Sequence, residues 1–250
     1  RQLYGRVLPA TPGSVQRTSF SVHRWEDREA SRNEGRGSGL YAAVHRDDDG
    51  RVQGVALYRF EGWEKEPPTI TVTAFLAATA DARRGLVHHL ARLDLVERIE
   101  WGRAPEPGWL EALFVDERRV SRHRGSDDLY LRVLNLPAAM AARGWAGDGE
   151  VVVAVEDALG AIDGTWRLTV RQGRGAAERL GPAADAVRMG AGLRLDAARF
   201  SALWLGGHSR GAGAAVLAEA GVVAELRAGA AEAFDGLVRP SRPLHTLVGF

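Results

Sequence analysis

The run from Leu40 to Trp101 constrains the fold more than any other part of the chain. "LYAAVHRDDDGRVQGVALYRF" reads as two strands, Leu40 to Val44 and Val52 to Phe60, on either side of an acidic turn. Asp49-Gly50 is the turn signal, because a glycine there accepts the backbone twist of a tight hairpin. "TITVTAFLA", Thr69 to Ala77, carries β-branched residues on one parity and makes a third strand. A helix follows: Thr79 can cap it, Asp81 complements its positive end, and Leu86, Leu90 and Leu93 recur on one face. "VERIEW" is a fourth strand. Antiparallel strands, a crossover helix and a further strand define an α+β layer of mixed sheet.

Further along, "PGWLEALFV" reads as a short helix and "DDLYLRVLNL" as a fifth strand ending at Pro137. The texture then changes, which puts a domain boundary near Leu136 and divides the chain into residues 1–136 and 137–250. In the second part "PAAMAARGWA" is a short helix, "GEVVVAVED" and "TWRLTVRQG" are strands, and "AVRMGAGLRLD" continues the sheet. Asp196 caps the helix "AARFSALWL", and "GAAVLAEAG" and "GAAEAFDGLV" are helical. The closing "RPSRPLHTLVGF" contains two prolines and is therefore extended.

Composition excludes several classes. With 45% hydrophobic and 26% charged residues the chain has a globular balance, and 250 residues suffice for two cores. The formal net charge is +1 and the arginines are scattered, so no nucleic-acid stripe exists. Cysteine is absent, which removes disulfides, zinc-thiolate sites and cysteine nucleophiles and fits a cytoplasmic protein. No apolar run approaches the roughly 18 residues of a membrane span. The chain opens on Arg1 and its methionines are Met140 and Met189, so a missing upstream segment is expected.

Three motifs bear on chemistry. Gly207-His208-Ser209-Arg210-Gly211 matches GxSxG, and Ser209, Asp235 and His245 follow in the order of a hydrolase triad. The preceding "LDAARFSALWL" has helical periodicity, however, where a nucleophile elbow needs a strand, and too little chain follows for the covering elements. Ser209 therefore reads as a loop residue. His88-His89 are adjacent on a helix and point about 100° apart, so they cannot share one metal, and the other histidines lack ligand spacing. No metal site is expected. The strand, loop and helix over "TVTAFLAATADARRGLVHHL" have the order of a coenzyme A cradle, Arg/Gln-x-x-Gly-x-Gly/Ala. Ala82 stands at the Arg/Gln position and Val87 at the last small one, so the scaffold is present without the cradle.

"GVALYRF", "TADARRGLVHHLARLDLVERI", "DDLYLRVLNLPAAMAARGWA", "ALWLGGH" and the terminal "VGF", in this order, resemble the Eis (enhanced intracellular survival) family of bacterial N-acetyltransferases. The resemblance implies that residues 1–136 hold the tail of a first GNAT domain and a second, non-catalytic GNAT-like domain. Residues 137–250 would form a domain like sterol carrier protein. It implies transfer of acetyl from acetyl-CoA, bound by an upstream domain, to amines of aminoglycosides and similar polyamines by a hexamer. Without that upstream domain the chain is expected to be inactive.

The same resemblance assigns the general base to the C-terminal carboxylate, carried by Phe250. The general acid is Tyr4, since "QLYGRVLPAT" matches a family motif like YGRFGYGPAT, shortened at Val7-Leu8. Such chemistry needs a base to remove a proton from the attacking amine and an acid to protonate the leaving thiolate. Trp25 and Glu26 offer the aromatic face and carboxylate that suit a polycation, and Gly249 replaces an acidic side chain of some relatives. Two other readings compete: a stand-alone lipid-carrier-like or structural module, and a serine hydrolase using Ser209.

Overall fold

In a computed structural model of the chain, the described residues are 2–16, 40–104, 108–123, 130–206, 212–240, 242 and 244–247. They fall into two compact units: the described residues of Arg1–Arg124 with those of Leu244–Phe250, and those of Gly125–Pro243.

The first unit is built on a four-stranded sheet of β1 (Leu40–Arg46), β2 (Val52–Phe60), β3 (Thr69–Ala77) and β4 (Arg98–Trp101), in that spatial order. The first three strands are antiparallel, and β4 lies parallel to β3. A parallel pair cannot be joined by a hairpin, and the crossover is supplied by α2 (Ala80–Ala91). Thr79 Oγ1 accepts the Ala82 N–H at 3.1 Å and so satisfies one orphan donor at the helix start. Leu86 and Leu90 are buried against Ala56, Tyr58, Ile70 and Val72. The hairpin turn forms as anticipated, with Gly50 at φ +76°.

A short helix, α1 (Gln2–Val7), packs against β2 and β3 and buries Leu3, Tyr4 and Val7. Arg6 fastens it to the sheet, donating to Gln53 Oε1 at 2.9 Å and to the Val52 carbonyl. A 3-10 turn at Leu8–Ala10 follows.

Two expected elements are not formed among the described residues. The described part of "PGWLEALFV" contains a 3-10 turn at Glu111–Leu113. Glu111 turns back to accept the Gly108 N–H at 2.9 Å and Arg122 Nε at 2.7 Å, bonds that stop the helix from extending. The described residues of "DDLYLRVLNL" form no strand. Arg132 pairs with Asp157 at 2.5 Å, the Val133 N–H goes to Ser201 Oγ at 3.0 Å, and Asn135 caps the next helix through the Ala138 N–H at 2.9 Å. These bonds to side chains take the place of a ladder. That helix, α3 (Leu136–Ala142), carries Pro137 in its first turn, where a missing N–H costs nothing.

The second unit holds β5 (Gly149–Glu156), β6 (Gly164–Arg171), β7 (Arg174–Gly181), β8 (Leu193–Asp196) and β9 (Ala224–Glu225), ordered β7-β6-β5-β8-β9. One face carries Val153, Val155, Leu168 and Leu193 against α4 (Ala197–Leu205) and α6 (Ala230–Val238). There Phe200 and Phe234 meet edge to face, with centroids 6.1 Å apart. The opposite face combines a charged cluster, in which Arg167 bridges Glu150 and Glu178 across three strands, with a small apolar one of Ala154, Ala186 and Ala191. Between α4 and α6 in sequence lies α5 (Ala214–Glu219). The architecture is the expected mixed α+β arrangement, with a four-stranded sheet in the first unit and a five-stranded one in the second. Among the described residues, no helix is long and apolar enough to cross a membrane.

Candidate functional site

Of the residues assigned roles from the sequence, Tyr4 is described; Trp25, Glu26, Gly249, Phe250 and Ser209 lie outside the described residues. Tyr4 is 7% exposed on α1, and its hydroxyl donates to the Val15 carbonyl at 2.6 Å. Reaching Val15 requires the chain to reverse after the 3-10 turn, and Thr11-Pro12-Gly13-Ser14 does this. The Ser14 N–H donates to the Thr11 carbonyl at 3.2 Å, and Gly13 sits at φ +86° after Pro12. Proline followed by a positive-φ glycine is the type II turn signature.

The same turn receives the distant tail. The His245 N–H donates to the Pro12 carbonyl at 2.9 Å, and the Leu247 N–H to Ser14 Oγ at 3.0 Å. A Cβ on Gly13 would lie 3.4 Å from both His245 N and Leu244 Cβ, so the tail runs directly over the glycine. Residues 12–15 thus hold both the Tyr4 hydroxyl and the backbone three residues before Phe250. Ser14's partner, 233 positions away, has no local signal in the sequence.

The β3–α2 turn has the scaffold of a coenzyme cradle, but its residues do not fit a pyrophosphate. Asp81 places a carboxylate in the first turn, where a phosphate would need the helix's positive end. That carboxylate is engaged by His45 Nε2 at 3.2 Å and Arg84 at 3.4 Å. Ala82 is fully buried. Gly85 serves a side chain instead of a ligand: a Cβ there would lie 2.7 Å from His45 Cδ2.

Other titratable groups have structural partners. Tyr58 meets His89 Nε2 at 3.2 Å and stacks on Tyr41, and burial, then the neighbouring Tyr41, push its phenol up. The Arg122 guanidinium lowers the Glu111 carboxyl to about 2. Among the described residues, no cluster of His, Asp and Glu could hold a metal.

The described residues do not favour the hydrolase reading. The chain enters the 207–211 segment from a helix, α4, that ends at Gly206 with φ +133°, and not from a strand. Asp235, the acid of that triad, accepts the Ala214 N–H at 2.6 Å and the Ala215 N–H at 3.0 Å, capping α5. His245 belongs with the first unit.

Residues 13–133 match the acetyltransferase (GNAT) domain family and residues 136–245 the sterol carrier protein domain family. The chain therefore couples a GNAT acetyltransferase domain to a sterol-carrier-like domain. It is homologous to Eis-like N-acetyltransferases. An uncharacterized N-acetyltransferase of Streptomyces avermitilis is 33% identical over 249 residues, which cover 96% of this chain and 56% of that protein. The N-acetyltransferase Eis of Mycobacterium tuberculosis is 29% identical over 211 residues, 82% of this chain and 46% of that protein. The crystal structure of Eis1 from Mycobacterium abscessus superposes with a TM-score of 0.78 at 27% identity, covering 100% of this chain and 58% of that one.

The chain spans about half the length of these curated relatives. The GNAT match lies within the chain itself.

Proposed function

We propose that the protein is an acetyl-CoA-dependent N-acetyltransferase of the Eis type, acting on amines of aminoglycoside-like polyamines. This chain supplies the acid and base ends of the reaction. The observation that carries the reading is the return of the tail to the turn that holds Tyr4. Two residues, Val248 and Gly249, separate Leu247 from Phe250, and three steps of chain at up to about 3.5 Å each limit how far the terminal residue can stray from Leu247.

The Phe250 carboxylate is the proton acceptor and also the anion that draws in a cationic amine. Its ordinary pKa, about 3.5, is low for a base, and removal from water would raise it. Tyr4 is the acid on the leaving-group side, its proton parked on the Val15 carbonyl. Trp25 and Glu26 are the proposed aromatic and carboxylate contacts of the polyamine, with Gly249 beside the terminal residue in the sequence. The donor's pyrophosphate is gripped elsewhere than at the β3–α2 turn, whose residues do not suit it. A hexamer is the assembly proposed from the resemblance.

The test is acetyl transfer to an aminoglycoside by the protein with and without Phe250. Loss of a positioned base lowers kcat on the order of a hundredfold, with KM for acetyl-CoA little changed. Unchanged kcat after removal of Phe250 would overturn the assignment of the base.

A further inference from the structure

We infer that Ser14 and Gly13 form a positioning clamp that sets the C-terminal tail in register with Tyr4. The inference rests on the proposed roles of Phe250 and Tyr4 and adds residues to which neither motif nor resemblance pointed.

Three acceptors on four consecutive residues each hold a different group. The Pro12 carbonyl takes the His245 N–H, Ser14 Oγ takes the Leu247 N–H, and the Val15 carbonyl takes the Tyr4 hydroxyl. The two tail donors are two residues apart, which is the spacing at which an extended strand presents successive N–H groups to one side. The tail is therefore held as a strand would be, but one of its acceptors is a side chain. At Ser14 a side-chain oxygen, removable by substitution, fixes the tail backbone.

Gly13 makes the clamp possible on two counts. Its φ of +86° is open to glycine at little cost, and its missing side chain lets Leu244 and His245 cross the turn. Tyr4 closes the other end, because its bond to Val15 sets where Ser14 stands relative to α1. Tyr4 and the tail segment that leads to Phe250 are thereby referenced to one short turn. Misplacing a reacting group by about 1 Å can cost up to a hundredfold in rate, so such a clamp would act on kcat.

The experiment uses the whole chain and two readouts. Amide hydrogen exchange at Leu247 reports the clamp itself. In Ser14→Ala it rises about fivefold, the factor expected for one lost hydrogen bond, and Ser14→Thr, which keeps the hydroxyl, restores protection. Acetyl transfer reports the consequence: Ser14→Ala lowers kcat roughly tenfold at constant KM for acetyl-CoA, and Ser14→Thr recovers it. Unchanged Leu247 exchange in Ser14→Ala overturns the clamp. Faster exchange with unchanged kcat overturns its positioning role when removal of Phe250 still lowers kcat. If removal of Phe250 also leaves kcat unchanged, the proposed base has failed instead, and the clamp's part in catalysis fails with it.

Discussion

The guanidinium of Arg143 lies 4.3 Å from the centroid of the Trp145 ring. Stacked there, it donates to the Trp204 carbonyl near the end of α4 and to the Val238 carbonyl at the end of α6. The centroid of Trp204 is 5.6 Å away on another side. Burial lowers this arginine to about 10, still charged at neutral pH. One cation thus serves the negative ends of two helices in the second unit.

Replacing it should be expensive. Arg143→Met keeps the volume, strands two carbonyls and is expected to cost about 2 to 3 kcal/mol in urea denaturation. Arg143→Lys, a point donor on a flexible stem, recovers only part of that loss. A loss below about 0.5 kcal/mol for Arg143→Met would show that the carbonyls find other donors.

Asp157 makes second-unit stability depend on pH. Its carboxylate accepts the Ile162 N–H at 3.0 Å and the Leu159 N–H at 3.0 Å and pairs with Arg132. The Ile162 bond foremost, against the opposing effect of burial, holds its pKa below 3.8. A depressed carboxylate stabilises the fold above its unfolded pKa, and the effect fades as pH falls through the folded value. The stability lost in Asp157→Asn is therefore expected to be full at pH 7 and to shrink below about pH 4, as measured by denaturation at each pH.

Gly85 and His45 should be coupled. Alanine at a helix interior gains about 1 kcal/mol over glycine, but here its Cβ would meet the imidazole. Overpacking costs about as much, so Gly85→Ala is expected to be nearly neutral in the native chain. In a His45→Ala background the same change should stabilise by about 1 kcal/mol. Equal effects in both backgrounds would mean that the imidazole moves aside freely.

Tyr4→Phe separates chemistry from packing. Removing the hydroxyl deletes the bond to Val15 and should cost about 1 kcal/mol of stability. If Tyr4 is also the acid, kcat falls on the order of a hundredfold, which a steady-state assay detects. A stability change with intact kcat would leave Tyr4 a purely structural residue.

Local chemistry was legible in the sequence wherever it decided the structure. The Thr79 and Asp196 caps, the Asp49-Gly50 turn and strands β2 and β3 follow from short-range patterns, and all form. Strand β7 was missed because "RGAAERLG" has no β-branched or aromatic residue. Pairing with β6 makes it a strand, and at Gly175 a side chain would strike Trp145 Nε1, so small residues there reflect tertiary packing. "DDLYLRVLNL" fails in the opposite way. Its alternation suggests a strand, but Ser201 and Asp157 take its polar groups. At the candidate site Tyr4 is proposed from resemblance. The Ser14 contact could not be anticipated, because nothing local in "TPGS" announces a partner 233 residues away.

That separation bears on how the protein is made. Residues 12–15 leave the ribosome long before His245 and Leu247 exist, and the whole second unit is synthesised in between. The entropy of closing such a loop grows only slowly with its length, so the delay is one of timing more than of thermodynamics. The turn beside Tyr4 must wait, exposed, while the whole second unit is made, so that of these two units the one begun earlier is finished later.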